Sequence, residues 1–159
     1  MSAAPERPPI EIGTATPPER EWSAQLMASS EPWITLRRDL DGCRAVLADL
    51  PDTTLYVARA GAVPLGFLLL RPRGLAGSPY VAAIAVAPAA RGHGIGSRLL
   101  DHVAALVSPP ARHLFLCVSD FNHDARRLYA RHGFAQVGQV HDYLVPGVAE
   151  LILHKRLRP

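Results

Sequence analysis

Between Tyr80 and Leu106 the chain leaves an apolar run rich in Val, Ile and Ala, crosses a short loop and enters a helical stripe. The loop carries Gly92, Gly94 and Gly96, and the stripe is Ile95, Leu99, Val103 and Leu106. The run from Tyr80 to Ala87 reads as a strand buried on both faces, and the stripe reads as a helix stopped at Ser108, Pro109 and Pro110. Glycines at such a junction let backbone N–H groups approach an anion, and the helix N-terminus adds about half a positive charge. The junction therefore predicts a phosphate or pyrophosphate site. Glycine clusters also make plain tight turns, so the spacing alone carries little weight.

Two nucleotide motifs compete for this loop. A Walker loop ends in Gly-Lys-Ser/Thr, whereas the chain has Gly96-Ser97-Arg98, which excludes it. A Rossmann fingerprint needs a glycine where Ser97 stands and follows its strand directly, whereas Pro88 to Arg91 intervene. Asp120, after the next strand, keeps a dinucleotide-dependent redox domain as a weak alternative.

The remaining pattern is mixed. Ile10 to Ile12 reads as a strand, and Thr16, Pro17 and Glu19 supply an N-cap, a first-turn proline and a capping-box acid for a helix through Trp22 and Leu26. Leu36, Leu40, Cys43, Leu47 and Leu50 predict a second helix, stopped by Pro51. Leu55 to Ala58 and Leu65 to Arg71 form a hairpin about Gly61. Leu114 to Val118 is a strand, and Ala125, Leu128, Tyr129 and His132 share one helical face closed by Gly133. Phe134 to Tyr143 and Ala149 to Lys155 make a last hairpin.

At 159 residues the chain fits one domain, residues 10–159, behind a flexible tail over residues 1–9. The net charge of +3 comes from arginines spread along the chain, with Lys155 the sole lysine and aromatics at 6%. That is not the basic, aromatic-laced stripe of a nucleic-acid binder. No stretch approaches a membrane span or a signal h-region. Cys43 and Cys117 each sit among apolar neighbours, as small buried hydrophobes do, without a disulfide framework. A cytoplasmic setting is expected. The histidines lack ligand spacing, so no catalytic metal is expected.

Arg91-x-x-Gly94-x-Gly96 after a Val-Ala-Pro strand end resembles motif A of the GNAT acetyltransferase superfamily, Gln/Arg-x-x-Gly-x-Gly/Ala, which binds the coenzyme A pyrophosphate. Downstream, Asn122 to Phe134 resembles the family's Asn-x-x-Ala-x-x-Leu-Tyr-x-x-x-Gly-Phe motif. Two ordered motifs separated by a strand are far more specific than either alone. The resemblance implies an α/β (α+β type) acyl-CoA N-acyltransferase fold: a mixed, mostly antiparallel sheet of about six or seven strands flanked by about four helices. Its fourth and fifth strands, here Tyr80 to Ala87 and Leu114 to Val118, splay to admit the pantetheine arm.

What the resemblance implies for function is acetyl transfer from acetyl-CoA to a primary amine in a ternary complex. The cofactor-binding residues would be Ile84, Ala85 and Val86 through their backbone, the loop residues Arg91, Gly92, His93, Gly94, Ile95, Gly96 and Ser97, together with Asn122 and Arg127. Tyr129 would be the acid, since a phenol titrates near 10 and keeps its proton for a departing thiolate. The acceptor, a small amine, peptide N-terminus or lysine, would lie between Ser29 to Ile34 and His141 to Val148, which makes Glu31, Trp33 and Tyr143 its candidate contacts. Many relatives place a glutamate on or beside the fourth strand, but Ser78 to Ala90 has no carboxylate. The base is then left open among Glu31, Asp120, His141, Asp142 and Glu150. Relatives are often homodimers, although nothing in the sequence marks an interface. The alternative function is a non-catalytic acyl-CoA sensor or interaction module with the same fold.

Overall fold

Alternation of apolar residues puts two cores on opposite faces of one sheet. The computed structural model describes residues 4–158. Its elements are β1 (Ile10–Thr14), α1 (Pro17–Ala28), α2 (Leu40–Val46), β2 (Thr54–Ala60), β3 (Val63–Leu75), β4 (Ser78–Val86), α3 (Ile95–Val107), β5 (His113–Ser119), α4 (His123–Arg131), β6 (Ala135–Val140) and β7 (Glu150–Arg156). Of the tail expected over residues 1–9, residues 1–3 lie outside the described ones and residues 4–9 hold no helix or strand.

Along β2 and β3, Leu55, Val57, Phe67 and Leu69 point to the side of α1 and α2, where they meet Met27, Trp33, Cys43 and Leu47. Leu68 and Leu70 point the other way, into a core with Val81, Leu99, Val103, Leu114 and Leu116. A strand covered on both faces shows consecutive burial rather than alternation. Here it is β3, not β4, that carries it, through Phe67 to Leu70. The expectation of a doubly buried β4 is thus corrected: Val81 and Ala83 are buried, while Tyr80, Ala82 and Ile84 to Val86 are half-exposed along a gap.

Helix α1 opens with the expected capping box, Thr16 Oγ1 accepting from Glu19 N at 3.3 Å and Glu19 Oε1 accepting from Thr16 N at 2.9 Å. The Glu19 carboxylate also pairs with Arg59 Nε at 2.7 Å, which ties the start of α1 to β2. The second helix is shorter than the Leu36 to Leu50 pattern predicts. Successive turns precede it, Arg37 takes a left-handed φ of 57°, and Asp39 Oδ1 caps α2 by accepting from Gly42 N at 2.7 Å. A left-handed residue followed by a cap starts the helix afresh, whatever the apolar spacing upstream.

The sheet order is β1-β2-β3-β4-β5-β7-β6. Every neighbouring pair is antiparallel except β4 and β5, which are parallel and matched only at Tyr80 with Phe115 and Val81 with Leu116. Beyond that point they part. The later half of β4 pairs with β3 but leaves its other edge unpaired, so backbone groups there lack sheet partners. No helix among the described residues is long and apolar enough to cross a membrane.

Candidate active site

The gap between β4 and β5 opens into a cleft of about 930 Å³ that runs from the glycine loop to the β6–β7 connection. At one end, β4 stops at Val86, a single 3₁₀ turn spans Pro88–Ala90, and Gly92 and Gly94 both adopt φ 77°. A Cβ at either position would meet nothing within 4 Å, so these glycines answer the backbone conformation and not crowding. Gly94 is the N-cap of α3, and no side chain caps that end. The N–H groups of Ile95, Gly96 and Ser97 belong to the first turn and have no acceptor within the helix. They are available to an anion, and the helix dipole favours one.

Arg91 Nε donates to the carbonyl of Val86 at 3.2 Å and closes the loop back onto β4. His93 Nδ1 lies 2.9 Å from the Arg91 carbonyl. Ile95 is buried in the core below the loop, and the Ser97 hydroxyl turns toward α4, 2.9 Å from His132 Nε2. Ile84, Ala85, Val86, Arg91, Gly96 and Asn122 line the cleft. Asn122 Oδ1 accepts from Ala125 N at 3.4 Å and so caps α4. Arg127 is exposed and pairs with Asp124, one turn back on α4, which itself borders the cleft.

Tyr129 is 6% exposed and borders the cleft beside the gap. Its ring stands edge-on to Phe134 at 6.1 Å, and no described residue hydrogen-bonds its hydroxyl. Burial pushes the phenol well above its ordinary value, so it holds its proton throughout the physiological range.

The floor of the cleft carries a polar group that the apolar sequence around Cys117 conceals. Cys117 is half-buried and lines the cleft next to Tyr80, which corrects its reading as a core hydrophobe. Burial raises both the thiol and the Tyr80 phenol. Ser119 Oγ donates to Glu150 Oε2 at 2.6 Å, and Glu150 faces the same space. Burial raises the Glu150 carboxyl, the Ser119 hydrogen bond opposes this, and the charge of Asp120 adds to the rise.

Glu31, Trp33 and Tyr143 all reach the far end of the cleft. Glu31 accepts from Thr35 N and Oγ1 at 3.2 and 2.9 Å, which holds the loop turn. Trp33 is an anchor as well as a wall, its ring 6.4 Å from that of Phe67, whereas Tyr143 is 65% exposed on the β6–β7 connection. Of the five candidate bases, only Glu31 and Glu150 border the cleft. Asp120 accepts from Ala149 N at 3.3 Å, Asp142 accepts from Gly147 N at 2.7 Å, and His141 packs with Gln139 at 3.1 Å.

Solved structures with this architecture are numerous. A protein from Desulfovibrio desulfuricans described as an acetyltransferase of the GNAT family superposes with a TM-score of 0.78 at 18% identity, over 94% of this chain and 100% of that one. An aminoglycoside 6'-N-acetyltransferase complexed with coenzyme A gives 0.78 at 14% identity, over 94% and 98%. A nourseothricin acetyltransferase gives 0.61 at 27% identity, over 70% and 69%. No curated protein matches the chain in sequence. The profile of the Acetyltransferase (GNAT) family matches residues 18–134, from the first turn of α1 through both glycine-loop and Tyr129 motifs, and the chain belongs to that family.

Proposed function

We propose that this chain transfers the acetyl group of acetyl-CoA to a primary amine, with Tyr129 as the acid and Glu150 as the base. The observation that carries the proposal is the parting of β4 from β5: it joins an uncapped helix N-terminus, an unpaired strand edge and a phenol whose ring is buried and whose hydroxyl opens to the gap in one cleft. The residues fit the coenzyme. Gly92 and Gly94 leave open space above α3 for a diphosphate, and the free edge of β4 near Ile84 and Val86 offers amide groups as a partner strand would. When bound there, the thioester supplies the acyl group.

The chain's own part is positional and protolytic. N–H groups of α3 hold the diphosphate; the β4 edge orients the thioester and supplies an N–H to the oxyanion. Tyr129, kept protonated by burial, donates its proton to the departing sulfur. Glu150, on the β7 side of the gap, takes the proton of the attacking amine, directly or through one water. The acceptor enters between the Glu31–Trp33 loop and Tyr143. Related proteins that act on an aminoglycoside and on nourseothricin support an amine as acceptor. Residues 10–159 form the single catalytic domain in this reading.

The test is free-thiol release from acetyl-CoA across panels of small amines, peptides with free N-termini and lysine peptides, alongside calorimetry with coenzyme A. Amine-dependent release with tight coenzyme binding is expected. Tight binding without release from any panel would favour the sensor, and absence of binding would sink both.

A further inference from the structure

One imidazole fastens the C-terminal end of α4 to the first turn of α3. His132 Nε2 lies 2.9 Å from Ser97 Oγ, and its Nδ1 lies 3.2 Å from Asp101 Oδ1. Ser97 and Asp101 are four residues apart on α3 and so share a face. With both nitrogens engaged the ring cannot turn without breaking two contacts, and its side chain is only 14% exposed. The His132 backbone N–H meanwhile donates to the carbonyls of Leu128 and Tyr129 at 3.2 and 3.1 Å. A single residue thus touches the turn that presents N–H groups to the loop and the turn that carries the phenol.

We propose that His132 is a positioning residue that couples the grip of α3 on the coenzyme diphosphate to the placement of the Tyr129 hydroxyl. This rests on the acetyl-transfer reading above. Binding energy from a remote, unreactive part of a substrate raises turnover only when something rigid carries it to the reacting atoms. A displacement of about 1 Å at those atoms costs on the order of a hundredfold in rate. His132 is the rigid link: it holds α4 to whatever position the diphosphate sets for α3. Without it the diphosphate still contributes affinity and Leu128 still packs on Gly96, but no polar contact fixes how α4 sits on α3, and the phenol loses its alignment.

The experiment compares His132→Ala with the parent protein using two donors, acetyl-CoA and S-acetylpantetheine, which lacks the diphosphate. With acetyl-CoA, kcat should fall about tenfold or more while KM holds. With S-acetylpantetheine both constants should stay within about twofold of the parent values, because there is no diphosphate to couple. Asp101→Asn, at an exposed position, should give a smaller loss with the same dependence on donor. Equal losses with both donors, or no loss with either, would overturn the coupling. A readout free of turnover separates this from the function itself: in protein labelled with 3-fluorotyrosine, the Tyr129 resonance should move on adding coenzyme A to the parent but not to His132→Ala. A shift kept in the variant overturns the proposal. A parent that shows the shift yet acetylates nothing would sink the enzyme reading and leave the link standing.

Discussion

Gly96 on α3 lies so close to Leu128 on α4 that a Cβ built on Gly96 would stand 3.1 Å from Leu128 Cδ2. The obstruction is the far end of a flexible side chain, and Gly96 is helical, where alanine is favoured by about 0.5–1 kcal/mol. Gly96→Ala should therefore fold with stability within about 1 kcal/mol of the parent and retain most activity. Gly96→Val should push α4, and Tyr129 with it, away from the gap. Thermal melts and turnover on both variants check this; an inactive alanine variant would mean that the helices tolerate no movement at all.

Gly94 fails for a different reason. Its surroundings are empty, but its φ of 77° is left-handed, a conformation that costs a side-chain-bearing residue about 1–2 kcal/mol. Gly94→Ala should destabilise by about that amount or re-form the loop, and either outcome spoils the N–H array. Calorimetry should show coenzyme A binding weakened about tenfold or more, the loss being in affinity.

Tyr129→Phe removes one oxygen from a site where no protein group bonds it. Folding should be unaffected, because the ring stays packed against Phe134 and the hydroxyl reaches the cleft, with no buried hydrogen bond to lose. Turnover at saturating amine should fall by about 10²–10⁴, with coenzyme affinity retained. Unchanged turnover would remove the phenol from the reaction.

The elements that place this site were legible because each is local. Thr16 and Glu19 are three residues apart, the glycine loop is contiguous, and Leu128 and Tyr129 follow helical spacing. What was not legible depends on pairing across distance. Ser119 meets Glu150 because β5 and β7 are in register there, and His132 meets Ser97 across two elements. No periodicity in the chain encodes either contact.

Glu19 gives a stability prediction that does not involve the cleft. The hydrogen bonds from Arg59 hold its carboxyl below the ordinary range, so its contribution is present above about pH 4.3 and is lost as pH falls through the lowered value. Glu19→Gln should cost about 1–3 kcal/mol at neutral pH, with the difference from the parent shrinking in acid. Denaturant titrations at neutral and acid pH measure it, and coenzyme binding should not change.

Glu150 should show the reverse dependence on pH. Burial raises its carboxyl above the usual carboxylate range, so in the folded protein it keeps its proton to higher pH than in the unfolded chain. The stability associated with that proton is complete below about pH 4.3 and declines as pH rises through the raised value. Glu150→Gln preserves an oxygen to accept from Ser119 but cannot ionise, so it should melt above the parent at neutral pH and match it in acid. Catalysis needs the opposite state. The carboxylate is the base, so parental turnover should climb as pH rises through the same value, whereas the Gln variant should lose that limb and about 10²–10⁴ in rate. A site that is destabilised where it is active is what a half-buried base requires. A Gln variant as active as the parent, with the acid limb intact, would move the base elsewhere in the cleft, and Glu31 is the remaining carboxylate from the candidate set that borders it.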